Sequence, residues 1–145
     1  MPVAALQDDS RAVVRRFFAE LWNKGDLSLA DELVDIDAVN HDPAGPALGM
    51  GPEATKRLVT IYRKAFPDLI LQTEHLIADK DTVAIRWVLS GTHQGEFFGA
   101  APTGKPVQLD GISILQIHRG KIAEVFTHWD TLGLIRQMGR EETPT

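Results

Sequence analysis

The apolar residues of this chain recur every three or four positions up to Pro67 and mostly every second position from Leu69 to Trp129. That change of period divides the chain into a helical part and a sheet part. No strand–helix alternation is present to build a parallel sheet. The order predicts an α+β fold, with three helices followed by an antiparallel meander. A strongly curved sheet wrapped over a helical hairpin leaves a conical pocket between the layers.

In the helical part, residues 10–24 place Val14, Phe17, Phe18, Leu21 and Trp22 at helical spacing. Asp8, Asp9 or Ser10 is available as the cap, and Gly25 is the stop. Ser28 opens a shorter helix through Val34. Pro43, Gly45 and Pro46 then allow at most a short strand, which sets Asn40, His41 and Asp42 at a strand-to-loop edge. Gly51-Pro52-Glu53 starts a third helix whose apolar face carries Leu58, Ile61, Tyr62, Ala65 and Phe66, and Pro67 ends it.

The sheet part predicts two hairpins. Residues 69–78 and 82–93 are joined by Asp79-Lys80-Asp81, and residues 107–117 and 121–129 are joined around Arg119-Gly120. Alternation puts Ile122, Glu124, Phe126, His128 and Asp130 on one face. What they meet depends on the turn. A three-residue His118-Arg119-Gly120 loop brings Asp110, Ile112, Ile114 and Gln116 to that face, with Asp110 opposite His128. A two-residue Arg119-Gly120 loop brings Leu109, Gly111, Ser113, Leu115 and Ile117 instead. The three-residue loop is the favoured reading, because a lone glycine suits its third place. Asp130 then precedes a short apolar helix from Thr131 to Met138, as either a helix cap or a catalyst.

With 145 residues the chain is expected to be one domain over 1–145, frayed at 1–8 and 140–145. A net charge of −5 with no basic cluster argues against nucleic acid. The absence of cysteine excludes a disulfide framework and a thiolate metal site. No apolar run is long enough for a membrane span, and the first residues lack the pattern of a signal peptide, so the cytoplasm is expected. There is neither a phosphate loop nor a dinucleotide glycine pattern, and His, Asp and Glu show no close metal-ligand spacing. The chemistry is expected to need no cofactor and no metal.

Several stretches carry a family resemblance. They are the helical hairpin, Asn40-His41-Asp42-Pro43, the run from Gly91 to Gly99, Pro102-Thr103-Gly104-Lys105, and Gly120-Lys121-Ile122 through Trp129-Asp130 to Met138-Gly139. In these the chain resembles the SnoaL-like polyketide cyclases of the NTF2-like superfamily. The resemblance spans about the whole chain. It implies a cone-shaped α+β barrel and cofactor-free intramolecular aldol ring closure, with Asp130 as general acid/base.

An aspartate at the mouth of an apolar pocket suits removal of a proton from carbon between two carbonyls, provided a donor stabilises the enolate oxygen. His128 and His41 are further catalytic candidates. Asn40, Gln116, Asp110, Phe126, Trp22 and Tyr62 are candidates for contact with a small hydrophobic substrate. Arg86, inside an apolar strand, calls for a charged partner, with Glu74 or Glu124 expected. Two enzymatic alternatives stay open on the same fold. An epoxide hydrolase would use Arg86 with Asp110 and Asp130, and an isomerase would use Tyr62 with a second, protonated acid. A non-catalytic ligand-binding module is the third alternative. An exposed sheet face predicts a homo-oligomer, dimer or tetramer.

Overall fold

A computed structural model describes residues 3–42, 48–97 and 99–139. The N-terminal amphipathic segment forms helix α1 (Val3–Arg16) and runs directly into a π-helical segment, Phe17–Trp22. Helical hydrogen bonding begins ahead of Asp8, so Asp8, Asp9 and Ser10 lie within α1 and do not cap it. Of the ends expected to fray, residues 1–2 and 140–145 lie outside the described residues, and residues 3–8 belong to α1. The wide π turn sets Phe17 and Trp22, five residues apart, on one buried face with Phe18 between them. Two clamps secure its end. Arg63 donates to the carbonyls of Trp22 and Asn23 at 2.8 and 3.0 Å, and the Asn23 amide pairs with both backbone groups of Leu71.

A short helix α2 (Leu29–Leu33) leads into strand β1 (Val34–His41), an eight-residue strand where the proline-rich sequence allowed only a short one. Parallel pairing with the last strand sustains its length. Helix α3 (Gly51–Ala65) follows with Pro52 in its first turn. The remaining elements are β2 (Ile70–Asp79), β3 (Thr82–Thr92), β4 (Pro106–His118), β5 (Lys121–Trp129) and helix α4 (Thr131–Gln137). The strand order is β1-β5-β4-β3-β2, antiparallel except between β1 and β5. The sheet does not close, leaving β1 and β2 as its edges.

One face of the sheet is apolar and covered. Val83, Ile85, Trp87 and Leu89 of β3 and Leu109 and Leu115 of β4 are buried in the same cluster as Val14 of α1, Leu21 of the π segment, and Leu58 and Val59 of α3. The opposite face is exposed, and Ile112, Ile114 and Phe126 lie on it.

The β4–β5 turn departs from the favoured reading. His118 pairs with Lys121 and both Arg119 and Gly120 have positive φ, which is a two-residue turn whose twist matches the strands. Three residues later the pairing slips, since Ile117 opposes Ile122 but Gln116 opposes Glu124, leaving Ala123 as a bulge. The bulge reverses the alternation. Ile122, Val125 and Thr127 are buried, whereas Phe126 and His128 are exposed. Glu124, Phe126 and His128 oppose Gln116, Ile114 and Ile112, so Asp110 does not face His128.

Candidate active site

Between the π segment, α3 and the covered face of the sheet lies a cavity of about 430 Å³, counting its open part. The π segment contributes Phe17, Phe18 and Trp22, α3 contributes Leu58 and Tyr62, and β3 contributes Trp87 and Leu89. Ser113 of β4 and Val125, Thr127 and Trp129 of β5 complete the sheet side. On β1, Asn40 pairs with Val125 and His41 with Phe126, so Asn40 turns inward with Val125. The same alternation brings Asp42 inward just beyond the strand, and both line the cavity.

The polar groups of this wall fall into two sets. Asp42 accepts from the Tyr62 hydroxyl at 3.1 Å through Oδ2 and from Trp129 Nε1 at 3.2 Å through Oδ1. Burial first, then the charge and hydrogen bond of Asp42, push the Tyr62 phenol far above its ordinary value, so it stays protonated and remains a donor. Deeper in the sheet, Trp87 Nε1 donates to Ser113 Oγ at 3.1 Å, and the Ser113 and Thr127 hydroxyls lie 2.8 Å apart. This second set is neutral and internally paired. Asp42 is the one carboxylate among the described lining residues, and no Lys, Arg or His lines the cavity with it.

A family model described as SnoaL-like polyketide cyclase matches residues 12–138. The chain belongs to the SnoaL-like polyketide cyclase family. Its similarity to characterised members is that of a distant relative covered almost end to end. Aklanonic acid methyl ester cyclase AcmA of Streptomyces galilaeus is 31% identical over 129 residues, 88% of this chain and 89% of that one. Nogalonic acid methyl ester cyclase of Streptomyces nogalater is 28% identical, over 81% of this chain and 89% of its own. Among solved structures, TsrD from Streptomyces laurentii superposes with a TM-score of 0.84 at 24% identity, covering 93% of this chain and 98% of that one. A SnoaL-like polyketide cyclase from Agrobacterium tumefaciens gives a TM-score of 0.72 at 21% identity, covering 92% and 98%. These two likenesses speak for the SnoaL-like fold.

Of the residues singled out in this family member's sequence, the cavity brings together Asn40, Trp22 and Tyr62. Asp130, His128, His41, Asp110, Gln116 and Phe126 do not line it. Asp130 is exposed at the start of α4, where its Oδ1 accepts from the backbone N–H of Gly133 at 2.8 Å and caps the helix. His41 is stacked on Phe126 and bonded to Glu124 at 2.8 Å on the exposed face. Asp110 pairs there with Arg86 at 3.3 Å, so the partner of Arg86 is neither Glu74 nor Glu124. Gln116 accepts from Thr82 at 3.0 Å. The physical reason is shared: the helices cover the other side of the sheet, and the Ala123 bulge turns Glu124, Phe126 and His128 away from them.

The hydrolase arrangement loses its parts for the same reason, since Arg86, Asp110 and Asp130 all lie outside the cavity lining. The isomerase arrangement keeps Tyr62, but the described lining has no second acid beside Asp42. Sequence reasoning did not single out Asp42 as a cavity residue, although it stood at the noted strand-to-loop edge. The usable signal was its even spacing from buried Ala38 and from Asn40 along β1. Among the described residues no group of three His, Asp or Glu side chains is placed to hold a metal, and no helix is long and apolar enough to cross a membrane.

Proposed function

We propose that this family member carries out cofactor-independent, aldol-type acid/base chemistry on an uncharged hydrophobic carbonyl compound, with Asp42 as the proton acceptor. The observation that carries the reading is the Asp42 carboxylate, held by Tyr62 and Trp129 at the edge of an otherwise apolar and neutral cavity. Asp42 takes a proton from a carbon between two carbonyls, and the electron pair of that C–H bond passes to the enolate. The enolate carbon then forms a bond to a ketone carbon of the same molecule. The resulting alkoxide recovers the proton from Asp42. Walls of Phe17, Phe18, Leu58 and Leu89 exclude water and hold the chain folded for ring closure. The methyl esters for which two relatives are named are uncharged at that group.

The test is turnover of a panel of cyclisable polyketide methyl esters by wild type and Asp42→Asn. The variant keeps the shape and one acceptor oxygen, which Trp129 Nε1 can still reach, while the new amide N–H faces the Tyr62 hydroxyl, which can turn and accept from it, and the base is lost. A fall of about 10²–10⁴-fold with unchanged thermal stability is expected. Full activity in the variant would exclude the role. Binding without turnover is the second reading, and the neutral, self-paired Ser113–Thr127–Trp87 cluster favours it. It prevails if wild type binds the panel and converts none of it.

The homo-oligomer belongs to the same proposal. Ile112, Ile114 and Phe126 are about half exposed among Arg86, Glu124 and Asp110, so a two-fold related copy would cover apolar area and oppose unlike charges. Sedimentation of wild type against Phe126→Glu reads this directly, and a monomeric wild type rejects it.

A further inference from the structure

All three tryptophans of the chain line the cavity, and they differ in one respect. Trp87 Nε1 donates to Ser113 and Trp129 Nε1 donates to Asp42, but Trp22 Nε1 is sealed from solvent and bonded to nothing. Asn40 Oδ1, in the same wall, is likewise buried without a partner. Buried polar groups are nearly always paired, because leaving one unpaired forfeits its hydration with no return. One unpaired donor and one unpaired acceptor in a single cavity wall therefore describe the ligand that would complete them.

The Trp22 ring is held in place. Arg63 binds its carbonyl, Asn23 beside it is clamped to Leu71, and Tyr62 packs against the indole at 5.4 Å with the rings steeply inclined. These clamps keep the N–H oriented when the wall parts to admit a ligand oxygen beside it.

We infer that Trp22 Nε1–H is the donor to a carbonyl oxygen of the ligand and that Asn40 Oδ1 accepts from a ligand hydroxyl. The class of ligand is thus an uncharged ring compound bearing both a ketone and a hydroxyl. The inference rests on the reading of this cavity as the active site and deepens it. When Asp42 removes the carbon-bound proton, the negative charge moves to the carbonyl oxygen facing Trp22. The indole N–H stabilises that enolate oxygen without giving up its proton.

Equilibrium binding of small probes tests both contacts without any proton transfer. Tetralin supplies the ring system alone, 1-tetralone adds the carbonyl, and the 5-, 6- and 7-hydroxy-1-tetralones add a hydroxyl at three positions. Wild type is expected to bind 1-tetralone about tenfold more tightly than tetralin, and at least one hydroxytetralone severalfold more tightly again. Trp22→Phe, which keeps an aromatic ring and removes the N–H, should abolish the preference for the ketone. Circular dichroism and the melting temperature of each variant serve as the control for folding. Asn40→Leu should abolish only the hydroxyl preference. A ketone preference that is absent in wild type or survives in Trp22→Phe overturns the donor role. A hydroxyl preference that is absent or survives in Asn40→Leu overturns the acceptor role. In turnover, Trp22→Phe should raise KM by about the tenfold lost in binding and lower kcat further, because the charge on the enolate oxygen is held more strongly than the neutral carbonyl. Intact turnover in Asp42→Asn would remove the acid/base reading and leave these binding ratios standing, so the two failures are distinguishable.

Discussion

Tyr62 donates its hydroxyl to Asp42 at 3.1 Å, a contact that joins the last turn of α3 to the residue that follows β1. Asp42 follows directly from a strand whose other neighbours are backbone partners, whereas Tyr62 lies inside a helix. The carboxylate therefore takes its position from two elements distant in sequence.

This contact predicts an alkaline instability that can be read from a single residue. The folded state keeps the Tyr62 proton well above 10.0, the value at which an unfolded chain releases it. The stabilisation is complete below that value and diminishes as pH rises beyond it, because only the unfolded state gains by ionising. Tyr62 is the sole tyrosine, so tyrosinate absorbance reports it alone. Absorbance should stay flat through pH 10 and rise only with unfolding, and Tyr62→Phe should lose this part of the pH dependence.

Asp130 predicts a separation of stability from activity. Its side chain caps α4, and a Cβ on Gly133 would lie 2.1 Å from that carboxylate, so the cap and the glycine are fitted to each other. Asp130→Ala should cost about 0.5–2 kcal/mol in urea unfolding. Turnover per folded molecule should be unaltered. A large fall in kcat would return Asp130 to the catalytic machinery.

Gly111 predicts the opposite coupling. A Cβ there would come within 2.5 Å of the Trp87 ring and 2.8 Å of Trp129 Cβ. Gly111→Ala should destabilise by about 1–3 kcal/mol through overpacking. Because Trp129 holds Asp42, activity should fall as well, and kcat measured well below the melting temperature separates the two effects.

Asp68 predicts an acid-side dependence. It accepts from both the backbone N–H and the hydroxyl of Thr92, at 2.7 and 2.8 Å, and these bonds hold its carboxyl below the usual range. A depressed carboxylate stabilises the fold above its unfolded value, and the contribution is lost as pH falls through the folded one. Urea midpoints of wild type and Asp68→Ala should differ at pH 7 and converge in strong acid. The difference at neutral pH should be modest, about 1 kcal/mol, since the group is exposed.

The period of apolar residues was sufficient to read the helices, both hairpins and the α+β order, because burial of one face imposes that period locally. Trp22, Tyr62 and Asn40 were legible as cavity groups on the same ground. Asp130 was read correctly at a strand-to-helix junction, as cap or catalyst, and the structure places it as the cap of α4, outside the cavity lining. A capping aspartate and a catalytic one look alike until the neighbouring backbone N–H is placed.

What the chain by itself determined is which segments are helix and strand, and that an apolar layer lies between them. The tertiary structure decided which side of β5 meets that layer, through a turn at Arg119-Gly120 and one extra residue at Ala123. A strand has a side-chain period of two, so a single bulge exchanges its faces without altering its composition. For the same reason the carboxylate in the cavity is Asp42, carried inward by the parallel pairing of β1 with β5, and the histidines and Asp130 lie outside.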